Sequence, residues 1–188
     1  METPKPITPE NNSRRIYFTG QFNEDKSEKV VTSLLDLEAK DPLKDILLYI
    51  SSYGGLVDDF YAMHDALKLL RCKVATIGIG KQMSCGLLLL ISGTPGLRFM
   101  TKNSRVLIHK LSGGAFGSVS EMEDEVNESL RLQKKVCEMI VDYTNITKSR
   151  LEKIMLRQSY FSPQEAKEMG IIDEILESNK NLYGKVNV

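Results

Sequence analysis

Two residues of this chain have the chemistry for nucleophilic catalysis near neutral pH, Ser84 and His109. Ser84 lies in Gly80-Lys81-Gln82-Met83-Ser84-Cys85-Gly86 and is followed by Leu87-Leu88-Leu89-Leu90-Ile91, a run so apolar that it must be buried. A serine in that place has two readings. It caps the N-terminus of a core helix, or it is a nucleophile held where backbone N–H groups point outward. The pattern is not the G-x-S-x-G nucleophile elbow, because Gln82 stands where its first glycine should be. His109 ends the apolar stretch Arg105-Val106-Leu107-Ile108 and reads either as a partly buried, hydrogen-bonded side chain or as a general base. The pair is more informative than either residue alone. Serine is a poor nucleophile until a base takes its proton, which imidazole does near neutrality when Oγ and Nε2 approach to about 3 Å. Acyl transfer also needs donors for an oxyanion, and Gly54-Gly55, at another strand-to-helix junction, offers unobstructed N–H groups.

The elements that must position these groups alternate along the chain. Arg15–Thr19 reads as a short strand ending at Gly20. Ser27–Lys40 has helical spacing, and Asp45–Ile50 is a continuous apolar strand of the kind buried on both faces. Ser51-Ser52-Tyr53-Gly54-Gly55 breaks that strand, Val57–Leu70 resumes as a helix, and Val74–Ile79 leads into the serine turn. Strands alternating with helices predict an α/β fold with parallel pairing and right-handed crossovers. Both Ser84 and His109 then follow or close strands at one edge, where such folds place their chemistry. A long polar helix is expected over about 120–143, with Met122, Val126, Leu130, Gln133, Cys137 and Ile140 along one narrow stripe, so that it projects and completes its burial against another subunit. Thr147 or Ser149 starts the next helix. Ser162-Pro163-Gln164-Glu165 starts a short one that Gly170 stops. Residues 1–14, rich in proline and polar residues, read as a flexible arm, and 15–188 as a single domain.

The bulk composition narrows the function classes. The chain has 188 residues with 25 basic and 25 acidic side chains, so nothing draws it to nucleic acid or to an acidic membrane surface. Cys72, Cys85 and Cys137 are odd in number and widely spaced, which argues against a disulfide framework or a structural zinc cluster. With His64 and His109 as the only imidazoles, a histidine-rich metal site is not expected, and neither is a cofactor. No charged leader opens the sequence and the longest apolar run is far below spanning length, so a reducing, cytoplasmic setting is expected.

The segments RRIYFTGQ, KDILLYISSYGG, GIGKQMSCGLLLL, NSRVLIHKLSGGAFG and YFSPQEAKEMGIIDEI resemble the Clp protease proteolytic subunit family, ClpP, of the crotonase-like superfamily, from about Arg15 to Glu177. The resemblance implies repeated strand-helix units with a projecting handle helix. It makes Ser84 the nucleophile, His109 the general base, and the backbone amides of Gly55 and Cys85 the oxyanion hole. It sets Gly113 and Gly114 in a segment that lines the substrate cleft. It also implies two stacked heptameric rings joined by the handle, either a homo-oligomer or a hetero-oligomer of two kinds of subunit, that cleave unfolded polypeptide or short peptides and work with an AAA+ ATPase unfoldase.

The chain departs from the family pattern at several places. Gln158 stands at the usual aspartate position, so the expected catalytic set reads Ser84, His109 and Gln158. A glutamine carbonyl can accept the His Nδ1–H bond but supplies no charge to stabilise an imidazolium. In the Ser-His-Asp template, replacing the aspartate by its amide costs about 10⁴-fold. Tyr53 replaces a common proline, Lys110-Leu111 a common Gln-Pro, and Leu47 an aromatic residue at the family's partner-binding pocket. Two functions stay open: an atypical serine endopeptidase subunit, or a catalytically impaired structural or regulatory subunit of such a ring.

Overall fold

The computed structural model describes residues 14–178 and 182–188; the expected arm over 1–13 lies outside them. Arg14 belongs to the folded body. Its guanidinium is buried and donates to the carbonyls of Asp45 (3.0 Å), Leu37 (2.9 Å), Asp41 (3.0 Å) and Lys44 (2.7 Å). Two of those acceptors sit at the C-terminal end of the first helix, where the peptide dipoles favour a cation, and together they replace the hydration a buried charge gives up.

The elements run β1 (Arg15–Phe22), α1 (Glu24–Lys40), β2 (Ile46–Gly55), α2 (Val57–Leu69), β3 (Val74–Met83), α3 (Cys85–Ile91), β4 (Arg98–Thr101), β5 (Arg105–Ile108), α4 (Val119–Tyr143), α5 (Lys148–Ile154), β6 (Ser159–Phe161), α6 (Pro163–Glu168) and β7 (Glu174–Leu176). The α/β fold is as the alternation predicts: β1-β2-β3-β4-β7 form a parallel sheet in that order, flanked by helices. Several boundaries differ from the sequence reading. Helix α1 begins earlier, because the Asn23 side chain accepts the Lys26 N–H as its cap. Strand β2 does not break at Ser51 but runs through the glycine pair, and β3 continues past Gly80 to Met83. Thr147 caps α5, and Ser162 caps α6 in a reciprocal box with Glu165.

Strand β3 forks the sheet. Its first half, Thr76–Gly78, pairs with β4, while its second half, Lys81–Met83, pairs with β5. Strand β5 in turn pairs antiparallel with β6. Two apolar clusters hold the layers together. The larger lies between the sheet and the helices and includes all of α3, whose seven residues are buried, which is why that helix is apolar all round. The smaller, around Leu47, Ala75, Ile77, Leu97 and Phe99, lies under Leu182 of the C-terminal segment. Leu47 is therefore fully buried. Asn187 donates its N–H to the Asp45 carboxylate at 2.9 Å, and the Asp45 N–H donates to the Asn187 carbonyl at 2.6 Å, tying that segment down.

Helix α4 starts from a capping box between Ser118 and Glu121. Over its 25 residues only Val136, Met139 and Ile140 are buried, all in the C-terminal half; Val119, Val126 and Leu130 are exposed. Arg98 joins this end of α4 to the sheet by donating to the Tyr143 carbonyl at 2.7 Å and, from Nη2 and Nε, to Asp173 at 2.7 and 3.0 Å. Burial pushes the Asp173 carboxyl up, but those hydrogen bonds and the Arg98 charge outweigh it and hold it below the ordinary carboxylate value. No helix among the described residues is long and apolar enough to cross a membrane.

Removing the Arg14 guanidinium leaves four carbonyls without their donor, two of them buried and two part-buried. Arg14→Met is expected to lower stability by roughly 2–4 kcal/mol, read as a shift of the urea midpoint at unchanged slope.

Candidate active site

Ser84 joins β3 to α3. Its backbone sits at φ 55°, ψ −123°, and it is the one non-glycine residue at positive φ among the described residues. An L-residue held there carries about 1–3 kcal/mol of strain, so the surroundings must impose it. They do so from both sides. The Ser84 N–H donates to the Leu107 carbonyl on β5 at 3.1 Å, and the Ser84 carbonyl accepts from Leu87 at 2.9 Å, opening α3. The Ser84 side chain makes no capping hydrogen bond. The side-chain capping reading of this serine therefore fails, and the residue lines a cavity.

Strand β2 approaches Ser84 so closely that residue 54 must be glycine. A Cβ there would fall 2.7 Å from the Ser84 Cβ and 3.2 Å from its Oγ, and φ is +104°. Residue 55 is constrained on its other side: a Cβ would fall 2.5 Å from both the N and the O of Phe22. Ser52, fully buried, shapes this turn by donating Oγ–H to the Gly20 carbonyl at 2.5 Å and accepting the Gly54 N–H at 3.0 Å. The buried Cys85 thiol reaches the Gly55 carbonyl at 3.5 Å, so the two residues expected to supply oxyanion donors lie side by side. Burial pushes that thiol up to about 11, and it stays protonated at neutral pH.

His109 follows the last residue of β5, half-buried. Because β5 runs parallel beside the second half of β3, with Met83 opposite Leu107, the two strand ends arrive together. Ser84 and His109 line one cavity, whose other walls are Leu87, Leu88, Leu107, Ile108, Leu111, Val136 and Ile140. Ser84 and His109 are thus the two residues with polar side chains in an otherwise apolar lining. The β5–β6 register ends with Ile108 opposite Ser159, the residues next to His109 and Gln158 in the chain. Gln158 is exposed, and among the described residues neither it nor Ser84 Oγ is hydrogen-bonded to the imidazole. Gly113 and Gly114 lie in the irregular stretch between β5 and α4, exposed, with nothing within 4 Å of a Cβ built at Gly113.

The other histidine is elsewhere. His64 Nδ1 and Ser92 Oγ share a hydrogen bond at 2.9 Å beside the rings of Phe60 and Tyr143, and burial, then the Lys68 charge, lowers its pKa. The described residues contain no cluster of three or more His, Cys, Asp or Glu side chains arranged to hold a metal. The sequence reading did not single out Ser52 or Val136, and it named Ile140 only as part of the α4 stripe, not as a wall of this cavity. Ser52 does carry a local signal, a hydroxyl two residues before a glycine, which is the signature of a side chain folding back on a turn.

Against known families, a model described as Clp protease matches residues 7–179.

If the Ser84 backbone is strained, glycine should relieve it. Ser84→Gly is expected to be about 1 kcal/mol more stable than Ser84→Ala in urea denaturation, the strain released less the extra chain entropy of glycine; equal or lower stability would mean that the turn is relaxed.

Proposed function

The chain belongs to the Clp protease family, and on that footing we propose that it is a serine endopeptidase subunit of a self-compartmentalised particle, acting on unfolded polypeptide or short peptides. The observation that carries this reading is the shared cavity of Ser84 and His109 at the ends of two adjacent strands. In the proposed reaction, the His109 imidazole takes the Ser84 Oγ proton as Oγ attacks a peptide carbonyl. The N–H groups of Gly55 and Cys85 receive the oxyanion, His109 protonates the departing amine, and water then hydrolyses the acyl-serine by the reverse sequence. Gln158 orients the imidazole through its side-chain carbonyl, more weakly than a carboxylate. The apolar walls favour an apolar side chain next to the cleaved bond, and Gly113 and Gly114 line the path of the chain beside it. No metal or dissociable cofactor enters these steps.

The assembly proposed with it is two stacked heptameric rings of one kind of subunit or two. What supports the pairing is α4, with Val119, Val126 and Leu130 exposed along its N-terminal half. An AAA+ ATPase would supply unfolded chains and ATP chemistry in the cytoplasm; the burial of Leu47 beneath Leu182 means that its docking would rest on other residues than that one. A second reading has its own support. Gln158 is exposed and unbonded to His109, and it cannot compensate an imidazolium. On that reading the chain is a catalytically impaired structural or regulatory member of the ring.

Turnover of a fluorogenic peptide by the assembled particle separates the two. The endopeptidase reading expects measurable turnover that Ser84→Ala and His109→Ala each reduce by about 10³-fold or more, and that Gln158→Asp raises by at least about tenfold. Background-level turnover in the wild type that Gln158→Asp does not rescue would establish the structural role.

A further inference from the structure

The stretch between β5 and α4 carries no regular structure, yet it forms one wall of the cavity through Leu111, two residues after His109. Among the described residues a single hydrogen bond ties residues 110–117 to the rest of the fold: the Leu111 N–H donates to Gln133 Oε1 at 2.7 Å. Gln133 sits on α4 one turn before Val136 and two turns before Ile140, which line the same cavity. Its orientation is determined by its neighbours. The Nε2 end donates to Cys137 Sγ at 3.2 Å and faces Met155 Sδ at 3.7 Å, and Cys137 Sγ lies 3.6 Å from that same sulfur. Turning the amide over would set its NH2 against the Leu111 N–H, donor against donor. A polar residue in the apolar stripe of α4 thus has one short acceptor contact toward the cleft and weak sulfur partners behind it.

Resting on the peptidase reading above, we infer that Gln133 is a positioning residue: from α4 it fixes the Leu111 wall, and so sets the reactivity of Ser84 toward substrates with a large apolar side chain at the cleaved bond. The bond acts on specificity rather than on the chemical step as such. A small side chain leaves the wall uncontacted, and its reaction does not depend on where Leu111 stands. A large one must pack against Leu111, Val136 and Ile140 together, and a displaced wall loses that packing.

The test compares wild type, Gln133→Leu and Gln133→Glu as assembled particles, in two measurements. The first is the rate at which peptidyl phosphonates modify Ser84, with a phenylalanine-type or an alanine-type group at the reacting position. The second is hydrogen exchange of the backbone across 110–117. Gln133→Leu, which removes the acceptor, is expected to slow the phenylalanine-type reaction by about tenfold, to leave the alanine-type reaction within about twofold, and to speed exchange across 110–117 by about tenfold, the scale of one net hydrogen bond. Gln133→Glu keeps an acceptor and should stay within about threefold of wild type in both measurements. Equal slowing with both probes, or unchanged exchange, would overturn the inference. If Gln133→Leu does not assemble, Gln133→Ser gives the same comparison, since its hydroxyl stops short of Leu111. A wild type that neither probe modifies would overturn the peptidase reading, while the exchange measurement would still decide whether Gln133 anchors the wall.

Discussion

The site depends on strand β3 changing partners halfway along its length. In its first half β3 belongs to the continuous sheet and pairs with β4; beyond Gly80 it pairs with β5 instead. This fork carries the chain end of β3 away from the sheet and brings β5 alongside it, so that the residue after Met83 and the residue after Ile108 share a cavity. The Leu107 carbonyl, at the end of β5, accepts the Ser84 N–H and holds that residue in a conformation glycine would adopt more easily. Stability has been given up at one position, and the surrounding core, with α3 fully buried and β2 mostly so, is what holds it there.

Much of this was legible in the sequence, for physical reasons. Strands buried on both faces read as mostly apolar runs, and Ile46–Ile50, Val74–Ile79 and Val106–Ile108 are such runs. The order of strands and helices then leaves few topologies, and the ends of the third and fifth strands are natural places for chemistry. What was not legible depended on length or on tertiary context. Strands β6 and β7 have three residues each, too few to show a period, and β4 opens with a charged residue that pairs with Asp173. The extension of β2 through Tyr53-Gly54-Gly55 was hidden because glycines ordinarily interrupt strands. Here they permit the backbone to pass close to Ser84 and Phe22. Gln133 reads as one member of the α4 stripe; its partner is a main-chain N–H whose position no local pattern reveals.

The atypical residue of the expected catalytic set is also the least constrained. Ser84 is fixed by backbone bonds and by the close approach of Gly54, and His109 by the end of β5, but Gln158 stands exposed at the edge where β6 begins. A carboxylate there would be drawn to an imidazolium over several ångströms; an amide has only its hydrogen-bond geometry to offer. That difference separates the two proposed functions at one exposed side chain, Gln158, while Ser84 and His109 are framed by the ends of β3 and β5. It also explains why the family membership and the fold alone do not determine the rate of the reaction.

The central claim is that the two strand ends form one proton-transfer site. A crystal structure of the assembled particle after reaction with a peptidyl phosphonate tests it most directly. The account predicts a covalent bond from Ser84 Oγ to phosphorus, the His109 ring within about 3 Å of the reacting oxygens, and a phosphonyl oxygen directed at the amides of Gly55 and Cys85. An unmodified Ser84 with the imidazole turned out of the cavity would contradict it.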